Sequence, residues 1–524
     1  MDATKKRGFF TKGLDGIERV GNKLPHPVTL FFLFAAMVVL ASALGSALGW
    51  TVENAEGEEI AVFNLLSSEG ILYMFESAVT NFTGFAPLGT VLVTMLGIGI
   101  AERSGLISAA LKALVTSVPK QLLTAALVFG GIMSSMAADA GYVVLTPLGA
   151  VLFAGLGRHP LAGLAAAFAG VSAGFSANLL VTSLDPLLGD LTIAAAATID
   201  AGYAEGMNIL MNYYFMIASV VLLTIAGTFV TEKIVEPRLG TYKGTYAGEE
   251  GEDMTTVRPE EKKGLWAALA SIIVTSALIA LLVVPSWGPL RAGLPNDEIL
   301  SAPFFQTLVP ILFIFFLIPG LVFGLVTKKI KNDSDVAEQM GDTMATMGMY
   351  IVLAFAAGQF VAYFNTSNLG QIFAYNAAGW LSEAGLDGML LVLAFMFVVG
   401  LINLFIGSSS AKWAFMAPVF VPIMMQLGYA PEFTQVLYRI ADSTTNIISP
   451  LMPYFAIVIA FAQKYDKKVG IGTLISTMIP YTIVFSIVWV LMLLAFMYFP
   501  GIEIGRIDIP PLDLGPGANI FYNN

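Results

Sequence analysis

Apolar runs close to bilayer length constrain this chain more than any other feature. A helix of about 20 apolar residues crosses a membrane. Nine such runs occur, at about 27–50, 85–101, 160–190, 212–231, 264–286, 303–326, 344–363, 432–463 and 473–498. The third and eighth are overlong and are interrupted by polar residues. Two further apolar regions, 121–157 and 388–428, do not fit a single crossing. Each has two arms around a polar tip, Ser134 to Tyr142 in one and Gly407 to Trp413 in the other. At about 1.5 Å per residue each arm reaches roughly 20 Å, short of the roughly 30 Å core. Irregular backbone at that depth is tolerated only where protein or a cavity covers it, so both regions are expected to be re-entrant hairpins. Only 12% of the 524 residues are charged, against about a quarter in soluble domains. The expected fold is an all-α polytopic membrane protein of nine transmembrane helices plus two re-entrant hairpins.

Basic residues test that count, because they collect on the cytoplasmic side. Lys5, Lys6, Arg7, Lys12, Arg19 and Lys23 place the N-terminus there, and the loop with Glu53 to Glu76 outside. With nine spans, the clusters near Arg103, Arg158, Lys233, Lys262, Lys328 and Lys464 all fall inside. The acidic end with Glu503, Asp508 and Asp513 falls in the periplasm. Counting either hairpin as a plain span breaks the pattern. The expected divisions are a cytoplasmic segment 1–26, a first half 27–235 and a linker with its helix at 236–302. A second half 303–498 and an extracytoplasmic tail 499–524 follow.

Several functions are disfavoured. The chain has no cysteine, and its two histidines, His26 and His159, lie at predicted helix ends. Neither a phosphate-binding GxxxxGK[ST] loop nor HExxH occurs. No basic face suits nucleic acid. The N-terminal segment lacks the pattern of a cleaved signal. An enzyme is therefore not expected, nor any cofactor.

The two halves echo each other. Pro147 and Pro160 are 13 apart, as are Pro418 and Pro431, and Gly157 and Gly428 each precede the second proline by three residues. Tyr142 then matches Trp413, and the polar break Gly170–Asn178 faces Asp442–Ser449. Hairpins entering from opposite faces, with broken helices at the midplane, form the layout of inverted-repeat secondary transporters.

Polar groups inside such a bundle mark the site. Ser443, Thr444, Thr445 and Asn446 prefer local backbone bonding, so the break is expected among them, between Pro431 and Pro450. Arg439 and Asp442 lie three apart on one face. They form either a mutual ion pair, or a coupling-ion ligand or proton carrier (Asp442) beside a carboxylate clamp (Arg439). Asn403, Ser409, Ser410, Asp442 and Asn446 offer the hard oxygens of a Na⁺ site. Trp413 suits stacking against an aromatic ring. Lys412 is a substrate or ion-pair group, or a snorkelling lysine. Asn178 closes the first break, and Asp139 sits on the first tip. Asp185, before Pro186, also reads as a helix cap.

The segments GFFTKGLDGIERVGNKLPHP, SLDPLL, GSSSAKWAFMAPVFVPIMMQLGYAPE and YRIADSTTNIISPLMPYF resemble the p-aminobenzoyl-glutamate (AbgT) transporter family over essentially the whole chain. The resemblance implies a homodimer in a bacterial inner membrane that moves p-aminobenzoyl-glutamate, with export of sulfonamide antimetabolites in some members. It implies site positions at Asp185, Asn403, Trp413, Pro431, Arg439 and Asp442. The expected function is ion-coupled secondary transport of a small aromatic carboxylate, driven by Na⁺ or H⁺. A Na⁺-coupled dicarboxylate carrier of similar architecture is the alternative.

Overall fold

The computed structural model describes residues 25 and 27–498, apart from 54–58, 138–140, 243–256, 294–302, 386–387, 450–451 and 453. Asp139, Pro450, the tail 499–524, almost all of segment 1–26 and half of the loop 236–263 lie outside the described residues. Helices dominate, and a two-stranded antiparallel ribbon pairs Thr51–Glu53 with Glu59–Ala61.

The helices in order are α1 (Pro27–Ala47), α2 (Ser68–Thr83), α3 (Ala86–Arg103), α4 (Leu106–Thr116) and α5 (Leu123–Met133). Next come α6 (Thr146–Gly155), α7 (Pro160–Phe168), α8 (Leu184–Ala196), α9 (Ala201–Gly206), α10 (Tyr213–Val230) and α11 (Pro259–Val283). The remainder are α12 (Leu308–Val326), α13 (Asp333–Thr346), α14 (Gly348–Thr366), α15 (Leu369–Glu383), α16 (Gly388–Asn403), α17 (Ser409–Gln426), α18 (Pro431–Asn446), α19 (Phe455–Gln463) and α20 (Ile471–Tyr498). Among the described residues seven helices are long and apolar enough to cross a membrane: α1, α2 joined to α3, α10, α11, α12, α14 and α20.

Packing sets two environments. Helix α11 buries little of itself and packs against α12, which in turn lies along α3. By contrast every residue of α7 is buried, and every residue of α18 except Thr445. These two form the centre of the molecule. The arms α5 and α6 both pack on α7, while α16 and α17 pack on α18.

Close backbone approach makes the first of these blocks. A Cβ added to Gly131 on α5 would stand 2.8 Å from the Cα of Gly170 and the carbonyl oxygen of Ala167. Gly170 belongs to the π-turn Ala169–Ala173 that ends α7. Gly131→Ala is expected to cost about 1–3 kcal/mol through overpacking, measured as lowered stability of the purified protein. An unchanged stability would mean that the two backbones are free to part.

The interruptions fall where polar sequence meets the centre. After the π-turn the chain is irregular until α8, so the third apolar run is two helices, α7 and α8. The eighth is also two, α18 and α19, but its break is displaced from the expected place. Residues Asp442–Asn446 remain helical and the interruption follows Ile447. Thr444 and Thr445 turn their hydroxyls to the carbonyls of Ile440 (2.9 Å) and Ala441 (2.6 Å), within the helix. They thereby satisfy themselves without breaking it.

Pro418 is not a joint. It lies inside α17 together with Pro422. The true junctions are Gly157 (φ 71°) and Gly428 (φ 84°), in left-handed conformations that favour glycine. At each, a backbone N–H reaches five residues back: Arg158 to Phe153 (2.8 Å) and Tyr429 to Met424 (2.9 Å). Pro160 and Pro431 then open α7 and α18 at the first helical position, where a missing N–H costs nothing. The segment read as an outer loop holds α2, which runs on into α3 as one membrane-length stretch, and α13 and α15 are short helices largely outside the nine apolar runs.

Candidate functional site

Helix α18 is a buried helix with a polar stripe. Glu432, Gln435, Arg439, Asp442 and Asn446 recur at spacings of three and four, so they share one face. All five are buried. A charge in such a place is stable only when paired and hydrogen-bonded, and the surrounding helices supply the partners.

Arg439 and Asp442 do not pair with each other. The Arg439 guanidinium donates to Asp185 Oδ1 on α8 at 2.7 Å, and Asp442 Oδ1 accepts from the Lys412 ammonium on α17 at 2.5 Å. Both pairs are buried, with Lys412 and Asp442 fully so. The expected mutual pair fails because each side chain meets a partner of opposite charge on a different neighbouring helix. Asp185 is held in place by its second oxygen, which accepts from the backbone N–H (2.7 Å) and hydroxyl (3.0 Å) of Thr182. It therefore sits in the first turn of α8 facing the centre.

Asn403, the last residue of α16, organises the second pair. Its amide nitrogen lies 2.8 Å from the Asp442 carbonyl, 2.7 Å from Thr445 Oγ1 and 2.8 Å from Asn446 Oδ1. Its amide oxygen accepts from the Lys412 ammonium, which also reaches the Ile406 carbonyl at 3.3 Å. Ser449 donates to the Asn403 carbonyl at 2.6 Å. Of the expected Na⁺ ligands, Asn403, Asp442 and Asn446 thus converge. Ser409 and Ser410 bond elsewhere: Ser409 with the Tyr438 hydroxyl at 3.2 Å and Ser410 with Ser408 at 3.2 Å. Ser408 caps α17 through the Ala411 N–H.

Trp413 is fully buried, packed on Tyr438 with ring centres 4.4 Å apart. Its indole donates to Thr192 of α8 at 3.0 Å. Thr192 also accepts from Gln435 at 2.7 Å. Tyr142, its counterpart near the first tip, stacks on Tyr454 at 4.4 Å. Pro431 starts α18 and touches the site only by placing that helix. Asn178 lies in the irregular stretch before α8, next to Ser176, whose N–H donates to Ser443 at 3.2 Å.

Five buried polar atoms along this seam have no hydrogen-bond partner in the structure: Ser176 Oγ, Asn178 Oδ1, Arg439 Nε, Asp442 Oδ2 and Glu432 Oε1. Orphaned groups of that kind are rare away from functional places. Glu432, Gln435, Thr192, Tyr438 and Tyr203, which donates to Glu432 at 3.1 Å, were not among the sequence candidates. The regular spacing along α18 was the signal that could have found two of them, Glu432 and Gln435. Two cavities among the described residues are lined by residues outside the charge-paired cluster. One of about 870 Å³ is apolar, walled by Phe34, Trp50, Phe360, Trp380 and Phe415. One of about 240 Å³ separates Asn81 and Asn365 from Leu191 and Pro418.

A bundle of membrane-length helices around two interrupted helices and a charge-paired polar seam defines a membrane transporter. The chain belongs to the AbgT putative transporter family, whose sequence profile matches residues 12–511. It is 38% identical over 490 residues to the p-aminobenzoyl-glutamate transport protein of Escherichia coli (strain K12), covering 93% of this chain and 95% of that one. The solved structure of the Alcanivorax borkumensis YdaH transporter superposes with a TM-score of 0.84 at 42% identity, over 90% of this chain and 98% of the other. That of Neisseria gonorrhoeae MtrF, which illuminates a class of antimetabolite efflux pumps, gives 0.86 at 46% identity, over 92% and 97%.

Proposed function

We propose that this chain is an ion-coupled secondary transporter of p-aminobenzoyl-glutamate or related aromatic carboxylates, in a bacterial inner membrane and working as a homodimer. The carrying observation is the buried seam between α18 and the start of α8, where Arg439 and Asp185 join the two halves of the chain. Arg439 is the group that would trade the Asp185 carboxylate for a substrate carboxylate, a fork geometry that a guanidinium provides. Trp413 and Tyr438 would form the aromatic wall. Export of sulfonamide antimetabolites is part of the reading, on the likeness to MtrF.

A count of nine spans belongs to the same reading. Six single helices and the joined α2–α3 are long enough to cross, and the interrupted pairs α7–α8 and α18–α19 would be the other two crossings. The short pairs α5–α6 and α16–α17 would be the re-entrant hairpins. The matching junctions at Gly157 and Gly428 favour an inverted repeat. In this reading the N-terminus is cytoplasmic and the C-terminus periplasmic. The dicarboxylate carrier is the weaker reading, because a fully buried Trp413 packed on Tyr438 suits an aromatic cargo.

The test is flux in proteoliposomes, in both directions, of labelled p-aminobenzoyl-glutamate and a labelled sulfonamide. Na⁺ and H⁺ gradients are imposed separately. Saturable flux that collapses with one of the gradients is expected. Flux that ignores both gradients, or that is carried by succinate and not by the aromatic cargo, would overturn the assignment.

A further inference from the structure

The apolar cavity of about 870 Å³ is enclosed between α15 and a cluster of three phenylalanines. Phe34 of α1 has its ring centre 5.8 Å from that of Phe360 on α14 and 5.6 Å from that of Phe415 on α17. From there the lining follows α1 to Ala41, about 10 Å at 1.5 Å per residue. Leu369, Ile372, Phe373, Asn376 and Trp380 line it from α15, at spacings that put them on one face of that helix. Helix α15 joins the end of α14 to the segment before α16. With nine spans both of those ends are on the outer side, so a single helix between them lies along that membrane surface. Met37, Phe373 and Trp380 line the cavity and are also exposed, so it opens sideways onto the face turned to lipid.

We propose that this cavity holds an acyl chain of a phospholipid whose headgroup carries an amine. No charged side chain lines it, and the bilayer supplies alkyl chains at its opening. Trp50 and Trp380 are of the type that settles at headgroup depth. The Asn376 amide nitrogen is bonded to the Ile372 carbonyl at 2.7 Å, which leaves its oxygen for an outside donor. Charge selects the headgroup. No lysine or arginine occurs in 24–102 or 332–411, the stretches that supply the lining from α1, the ribbon, α14 and α15. Glu53, by contrast, is two residues from Thr51 of the lining, Glu59 pairs with Glu53 across the ribbon, and Glu383 is three residues beyond Trp380. An ammonium is attracted to such a rim and an anionic headgroup is repelled. The chain would act on the carrier through α17. Phe415 and Trp413 are two residues apart, about 200° around the helix, so Phe415 meets the cavity while Trp413 reaches Thr192 of α8. An occupant therefore props α17 against α8. That effect rests on the carrier reading, whereas the lipid site needs only a membrane.

The test is thermal stabilisation of the delipidated full-length protein by phosphatidylethanolamine, phosphatidylglycerol or oleate. Phosphatidylethanolamine is expected to act at concentrations about tenfold lower than the other two, since a ligand specific to the folded state raises stability. Ala41→Trp fills the cavity and should remove that response. Met37→Trp obstructs the opening from an exposed position and serves should the first variant fold poorly. Leu278→Trp, on the exposed face of α11, should leave the response intact. Glu53→Gln with Glu59→Gln and Glu383→Gln should bring the two phospholipids to equal potency. Equal potency in wild type, or an unchanged response in both tryptophan variants at the cavity, would overturn the proposal. So would a loss of dimer in those two variants with no response to lipid, which would give the face to a second copy. In proteoliposomes wild-type flux should change as phosphatidylethanolamine replaces phosphatidylglycerol, and flux by Ala41→Trp should not. Equal dependence in both would overturn the link to α17. A chain that binds phosphatidylethanolamine in this way but carries no solute would sink the carrier reading and leave the lipid site standing.

Discussion

Arg439→Ala is expected to abolish gradient-driven flux and to lower stability by about 3–5 kcal/mol, the range for breaking a buried ion pair from one side. The guanidinium and the Asp185 carboxylate are 2.7 Å apart and almost wholly buried. Truncating the arginine leaves a carboxylate inside the protein, still bonded to Thr182 but without a counter-charge. The double variant Arg439→Ala with Asp185→Ala removes that orphaned charge and should recover most of the stability. It should not recover flux if Arg439 also meets the cargo. Arg439→Lys keeps the charge but not the fork, so partial stability with weakened cargo affinity is expected. Denaturant titration in mixed micelles and proteoliposome flux read the two effects separately. If the single and double variants were equally stable, Arg439 and Asp185 would not be joined in the membrane.

Asp442→Ala is expected to be of the same order, about 3–5 kcal/mol, with loss of coupled flux. Here the group left behind is the Lys412 ammonium, fully enclosed and 2.5 Å from the missing oxygen. Replacing both partners by apolar residues, Lys412→Met with Asp442→Leu, should restore stability close to wild type while coupling stays lost. That separation distinguishes a functional pair from a merely structural one. Flux by Asp442→Ala that still follows an imposed ion gradient would remove Asp442 from the coupling machinery.

Much of this architecture could be read from the chain. Membrane-length apolar runs located the long helices, and the Gly157/Pro160 and Gly428/Pro431 spacing marked two junctions with the same backbone hydrogen bonds. The polar stretch from Asn403 to Asn446 contains most of the buried charge. What local spacing did not disclose was partnership. Residues three apart share a face, but a face does not say which helix lies opposite. Asp185 and Arg439 are 254 positions apart and meet only because α8 and α18 cross. Thr192, which receives both Trp413 and Gln435, is an ordinary threonine in an apolar segment until that crossing exists. Helices α2 and α13 were missed because their cues, a side-chain cap and mixed polarity, are those of short surface helices, although α2 runs on into α3. The displaced break after Ile447 has a similar cause: hydroxyls that can end a helix can equally fold back onto it.

The pairing of charges inside the bundle has an electrical consequence. Moving one elementary charge across the membrane potential is worth about 2.3 kcal/mol per 100 mV. Lys412 with Asp442, and Arg439 with Asp185, are each closed within 2.5 and 2.7 Å, so a rearrangement that keeps both closed carries dipoles through the field and no net charge. These four residues then contribute nothing to the voltage dependence of a cycle. While both pairs stay closed, any sensitivity of flux to the membrane potential has to come from charges other than these four.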